Sequence, residues 1–70
     1  MIQQGIYRHF KGKLYFVTGT ATHSETGEYL VVYRPLYGDY RLTVRPLTMF
    51  NEDVEHEGQS VPRFRLEKAL

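Results

Sequence analysis

Two apolar runs separated by five residues constrain this chain more than anything else in it. LYFVTGTAT (14–22) and EYLVVYR (28–34) flank the segment HSETG (23–27). Both runs are rich in aromatic and β-branched residues, which fit a pleated, half-buried surface, so each predicts a strand. Between them Thr26-Gly27 supplies a turn. In strict alternation Tyr15, Val17, Gly19 and Ala21 share one face of the first strand, and Leu14, Phe16, Thr18 and Thr20 the other. The first face shrinks along its length, and a glycine in mid-strand points to sharp bending or to a close backbone neighbour. The second strand is mostly apolar on both faces, Tyr29/Val31/Tyr33 and Leu30/Val32/Arg34. It therefore needs cover on both sides, and the rest of a short chain must wrap around it.

The remaining segments can do so. GIYRHFKGK (5–13) opens with a glycine and an apolar pair and ends in a Lys-Gly-Lys turn signal. Pro35 ends the second strand's ladder, having no N–H to donate, and LYGD (36–39) carries a Gly-Asp turn signal. YRLTVR (40–45) alternates, with Tyr40, Leu42 and Val44 expected inward and Arg41, Thr43 and Arg45 outward. In PLTMFNEDV (46–54) the period changes: Pro46 can begin a helical turn, Thr48 can cap it, and Met49, Phe50 and Val54 fall near helical spacing. EHEGQS reads as loop, and VPRFRLE (61–67) as a last strand with Pro62 at its start or on an edge. The pattern predicts a mainly β fold in one domain spanning 1–70. The favoured form is a small SH3-like antiparallel barrel of about five strands, with one short helical turn before the last strand. An open three- or four-stranded sheet capped by the C-terminal segment is the alternative.

A chain of 70 residues buries only about 60% of the surface it exposes when unfolded, so its margin is thin. Disulfides and thiolate metal sites are excluded, because there is no cysteine. His9, His23 and His56 lack metal-ligand spacing, and no cofactor fingerprint occurs, so neither metal nor cofactor is expected. No run approaches the about 18 apolar residues of a membrane span, and MIQQGIY lacks the blocks of a signal peptide. A soluble, cytoplasmic protein away from membranes is the expectation. The net charge of +1 is small, but its distribution is uneven. Residues 1–47 hold six Lys/Arg against three acids, and residues 48–70 hold three against five.

Five stretches carry candidate chemistry. In HSETG, His23 and Glu25 can form an acid–base couple beside Ser24, or the segment is a hairpin loop whose hydroxyls bond local backbone. YRHFKGK interleaves Arg8, His9, Lys11 and Lys13 with Tyr7 and Phe10, a pattern suited to phosphate and base stacking; alternatively the rings are core and the cations solvated. Arg34, if drawn inward, needs Glu25, Glu28 or Asp39 as a counter-ion, since an unpaired buried charge is costly. Tyr33, Tyr37 and Tyr40 bracket PLYGD and either line a groove for an extended peptide or simply pack. NEDVEHE (51–57) lacks the pattern of a calcium loop and reads as a solvated helix end and loop.

The stretches YRHFKGKLYFVTGTATHSETGEYLVVYRPLYGD, VRPLTMF and VPRF, in that order and spacing, resemble the small bacterial family of domains of unknown function DUF1653. The resemblance spans roughly residues 6–66; Thr43 stands where the family pattern favours a bulkier residue. It implies a compact stand-alone bacterial domain and no activity, so it assigns no functional residue. The residues themselves point to a non-enzymatic binding module with no catalytic residues, taking an anionic ligand: nucleic acid or a nucleotide-like phosphate. Arg8, His9 and Lys11 would hold phosphate, His23 and Glu25 would hydrogen-bond at the rim, and Tyr37 would stack. The alternative is a protein-interaction domain that takes a peptide in a tyrosine-lined groove or forms a homodimer. Enzymatic activity is disfavoured, because so short a chain leaves little room for a desolvated pocket.

Overall fold

The structure, a computed structural model, describes residues 2–70. In chain order it forms β1 (Gly5–His9), β2 (Leu14–Thr22), β3 (Tyr29–Pro35), β4 (Thr43–Pro46), α1 (Leu47–Phe50), β5 (Asp53–His56), β6 (Gln59–Pro62) and β7 (Phe64–Ala69). Five strands make one antiparallel sheet in the order β4-β3-β2-β1-β7, and β5-β6 is a separate two-stranded hairpin. The expected mainly β class holds, but the expected barrel does not close. β4 pairs only with β3 and β7 only with β1. β4 is four residues long and ends at Pro46, which has no N–H to extend a ladder. From there the chain turns directly into α1, whose Phe50 fills the concave side of the sheet against Phe64.

The core is small: Tyr7, Val17, Val31, Tyr33, Phe50 and Phe64 are its buried members, with Ile2, Tyr15 and Leu47 packed against it. Phe50 and Phe64 stack at 4.2 Å, and Tyr33 meets both rings edge-on at 5.8 and 5.7 Å. Tyr7 donates its hydroxyl to the Gln3 carbonyl at 2.7 Å, which satisfies the polar end of a ring otherwise in the core.

Strict alternation fails at two places. A bulge between Val17 and Gly19 leaves Thr18 without a partner, so Val17 lies opposite Tyr33 but Thr20 lies opposite Val31. Cross-strand partners share a face, so Thr20 replaces Gly19 and Ala21 on the core side. Glycine is well placed here, because a bulge bends the strand. The second failure is in 40–45. Only Thr43–Pro46 pairs, and Arg45 lies opposite buried Val31, while Val44 lies opposite Val32 on the outer face. Tyr40, Leu42 and Val44 are all more than half exposed. Arg45, expected outward, is thus drawn inward and Tyr40, Leu42 and Val44, expected inward, face solvent, while Arg41 and Thr43 are exposed as expected. Arg45 donates from Nε to the Tyr33 hydroxyl at 3.1 Å and lies over the Phe64 ring at 5.8 Å.

The C-terminal third also differs. α1 is a single turn with no side-chain cap, so Thr48 does not serve as one. The expected loop EHEGQS is the tip of the β5-β6 hairpin, turning at Glu57-Gly58 with both residues at positive φ (52° and 78°), the conformation of a two-residue hairpin turn. Arg63 then separates β6 from β7, and Pro62 ends the hairpin instead of starting the last strand. Because β1 begins opposite Val17, the outer half of β2 extends past it with β3. The resulting arm helps make the molecule 38 Å long and only 24 and 21 Å across. Among the described residues no helix is long and apolar enough to cross a membrane.

Candidate functional site

A cleft of about 320 Å³ lies where the end of β1 and the start of β7 face the β5-β6 hairpin. Two backbone bonds set the hairpin against the sheet: Phe10 N–H donates to the Arg63 carbonyl at 2.9 Å, and Arg63 N–H donates to the Glu52 carbonyl at 3.0 Å. The Arg63 guanidinium also pairs with Glu52 at 2.6 Å. Arg8, Arg65 and Glu67 supply the charged lining, His9 and His56 two imidazoles, and Phe10, Val61 and Pro62 apolar surface.

Within the cleft Arg8 and Arg65 are direct cross-strand partners. Like charges so placed repel, and Glu67 offsets one of them, pairing with Arg8 at 2.5 Å. Arg8 also donates to the Gly12 carbonyl at 2.9 Å, which fixes its direction. Arg65 has no carboxylate partner among the described residues. His9 Nδ1 accepts the Lys11 N–H at 3.1 Å, leaving the neutral ring's proton on Nε2. Burial, reinforced by the charges of Arg45, Arg63 and Lys11, holds His9 below the usual imidazole range. Three cations thus bear on one ring. Among the described residues no three of His, Cys, Asp or Glu converge as a metal site would need.

The sequence-derived residues divide between distant places. Arg8 and His9 line the cleft together, and Lys11 sits beside it in the β1-β2 turn with Nζ 5.8 Å from the centre of the Phe10 ring. Tyr37, in the β3-β4 connection, is outside the cleft; its hydroxyl meets that of Tyr15 at 3.0 Å, and Lys13 Nζ lies 4.9 Å from its ring centre. Burial, then the Tyr37 hydrogen bond, pushes the Tyr15 phenol up to about 12. His23 and Glu25 are at the tip of the β2-β3 arm. Arg8 lies opposite Leu14, nine residues back along β2, so at a strand's rise the separation is on the order of 30 Å. His23 Nδ1 accepts the N–H groups of Glu25 and Thr26 at 3.2 and 3.3 Å. The lone pair a general base would use is therefore already engaged. Arg34 lies opposite Phe16 on the outer face without a carboxylate partner among the described residues, while Asp39 pairs with Arg41 at 3.3 Å.

The comparisons agree with this architecture. Residues 5–66 match the family described as "Protein of unknown function (DUF1653)". The chain belongs to the DUF1653 family. Among solved structures, this DUF1653 chain is similar to the crystal structure of a DUF1653 protein from Bordetella bronchiseptica, at a TM-score of 0.89 and 35% identity, over 99% of this chain and 91% of that one. No curated protein matches the chain. Two cleft residues of this DUF1653 chain escape sequence reasoning. Arg65 reads as one charge in an alternating strand, and His56 as part of a solvated acidic run. Pairing fixed more than 50 residues apart in sequence places Arg65 beside Arg8. For His56, the Glu57-Gly58 pair between Val54 and Val61 is a hairpin signal that could have located it.

Proposed function

We propose that this protein is a non-enzymatic binding module that holds a phosphate-bearing ligand in the cleft beside the β5-β6 hairpin. The observation that carries this reading is the Arg8–Arg65 pair, two arginines facing each other across β1 and β7 of which, among the described residues, only Arg8 has a carboxylate partner, Glu67. An entering anion supplies the missing counter-charge, and a guanidinium can engage it through two parallel N–H bonds. His9 donates from Nε2, Lys11 guards the entrance, and Phe10 and Val61 offer apolar contact to the rest of the ligand. His23 and Glu25 shape the distant hairpin tip in this reading. The module works in the cytoplasm, where a cysteine-free chain is at no disadvantage.

The test is a titration with inorganic phosphate, nucleoside mono- and triphosphates and a short oligonucleotide, followed by amide chemical shifts. Shifts are expected to centre on Arg8, His9 and Arg65, to vanish in Arg8→Ala/Arg65→Ala and to weaken in Arg8→Ala/Lys11→Ala. In His23→Ala they should persist. If the parent binds none of these probes, or the Arg8/Arg65 variant binds as well as its parent, the reading is wrong.

A second reading, association with a peptide or with another copy of the chain, draws support from the open edge of β4. Val44 stands on it at 55% exposure, and Tyr40 and Leu42, in the connection that leads into it, are 52% and 54% exposed. A mass that rises with concentration in sedimentation would favour it.

A further inference from the structure

We infer that the ligand is a single-stranded nucleic acid laid along a track of aromatic rings that starts in the cleft and leaves it; the inference rests on the phosphate-binding reading above. The track runs His56, Phe10, His9, Tyr15, Tyr37. Its successive ring centres are 5.3, 4.5, 6.0 and 5.9 Å apart. These rings come from β5, the β1-β2 turn, β1, β2 and the β3-β4 connection, so no local motif announces them. Tyr37 is exposed and the other four are half-buried; the His56–Phe10 and Tyr15–Tyr37 pairs meet edge-on and the two between are tilted, so the rings turn their faces in different directions. The remaining rings of the concave face, those of Tyr33, Phe50 and Phe64, are in the core, so the track is the accessible margin of the aromatic interior.

Cations flank most of the track; at its His56 end one carboxylate, Glu57, lies 3.1 Å from the imidazole Nε2. Lys11 lies over Phe10 and Lys13 over Tyr37, Arg8 and Arg65 stand at the cleft end, and Arg45 contacts the Tyr33 hydroxyl beside Tyr15. Stackable rings with flanking cations are what sequence-tolerant single-strand binding requires, because every base has a π-face and every nucleotide a phosphate. A duplex hides its base faces and presents only phosphates, so it can use the cations but not the rings. The length of the track suits about four nucleotides, the lower end of the range for small single-strand-binding domains. Tyr37 decides the matter. It lies outside the cleft, so a mononucleotide held by Arg8 and Arg65 does not reach it, whereas a strand following the rings does.

The experiment is fluorescence anisotropy with a labelled twelve-residue oligothymidylate, the matched duplex and a labelled mononucleotide, on parent, Tyr37→Ala and Tyr37→Phe. The strand should bind more tightly than duplex or mononucleotide. Its log affinity should fall against log salt with a slope of about −3, as expected when some four phosphates are neutralised on a single strand. Tyr37→Ala should weaken strand binding about 5- to 150-fold and leave the mononucleotide unchanged, and Tyr37→Phe should stay near the parent. If the mononucleotide binds and Tyr37→Ala leaves strand affinity intact, or the duplex binds as well as the strand, the track is refuted while the cleft stands. Failure of all three probes refutes both.

Discussion

Phe64 lies at the centre of the aromatic core. It is 7% exposed and touches four other rings: Phe50 stacked at 4.2 Å, and His9, Tyr15 and Tyr33 edge-on at 5.0, 5.4 and 5.7 Å. A chain of this length has roughly 3.5–10 kcal/mol of total stability at the usual 0.05–0.15 kcal/mol per residue. Truncating a buried phenylalanine to alanine removes about 3–5 kcal/mol through lost transfer energy and the cavity left behind. Phe64→Ala should therefore consume from about a third of the margin to all of it. Phe64→Leu keeps most of the apolar volume and loses the ring contacts, which are worth about 0.5–1.5 kcal/mol for each aromatic pair and are not additive. A loss of about 2 kcal/mol is expected, equivalent to a fall of about 8–16 °C in Tm for a domain this small. Urea unfolding followed by far-UV circular dichroism and tyrosine fluorescence measures both. Leu42→Ala, at a residue 54% exposed, is the control and should change stability by no more than about 0.5 kcal/mol. If Phe64→Ala costs less than about 1 kcal/mol at unchanged urea dependence, or no more than Leu42→Ala, the aromatic cluster is not what holds the sheet to α1.

Two further outcomes follow from the same interior. Thr20 Oγ1 is buried without a hydrogen-bond partner on the core side of β2, so Thr20→Val should raise stability by about 1 kcal/mol, the penalty for a buried unsatisfied hydroxyl; a loss in urea unfolding would mean the hydroxyl has a partner. Stability should also fall at both extremes of pH. Burial raises the Tyr7 and Tyr15 phenols above 10, Tyr15 to about 12, so stability present below pH 10 should drain away as pH rises towards 12, while the unfolded phenols ionise first. His9 is held below 6.5, so the unfolded imidazole takes its proton first and stability present above pH 6.5 declines as pH falls through the folded value. Thermal melts across pH 4–12 test both limbs, and a Tyr15→Phe variant whose alkaline limb equals the parent's would refute the first.

Composition made the strands of this chain legible, but not the pairing between them. β2 and β3 announce themselves because their residues suit a pleated surface whatever lies opposite. The faces of β3 are as expected, with Val31 and Tyr33 in the core, but those of β2 are not, because one unpartnered residue at Thr18 reverses every later side chain. β4 misleads for a related reason. Tyr40, Leu42 and Val44 alternate as a buried face should, yet β3 already has Phe50 and Phe64 against its core face, and the register puts Arg45 there instead. Arg45 can occupy that position because its stem packs over a ring and its Nε reaches the Tyr33 hydroxyl. The β5-β6 hairpin is hidden by its own polarity: apart from Val54 and Val61, its acids and amides look like loop.

The same topology explains how a chain with a net charge of only +1 can gather cations about β1 and its neighbours, Arg8 and Arg65 on the outer side of the sheet and Arg45 on the core side. Arg8, Lys11 and Lys13 are local to β1 and the turn after it, and sequence alone suffices to see them. Arg45, Arg63 and Arg65 arrive from strands and a linker far along the chain. The depression of His9 by Arg45, Arg63 and Lys11 together places near and distant cations in one neighbourhood. Of these six, Glu67 engages Arg8 and Glu52 engages Arg63; Glu57 meets His56 at the cleft at 3.1 Å, while Glu25 and Glu28 lie at or beside the remote β2-β3 tip. Charge is thus sorted by position within a nearly neutral molecule. Such a field is screened beyond about 8 Å at physiological ionic strength, so it offers little long-range steering. In the proposed binding mode it would act only on an anion already in contact with the cleft.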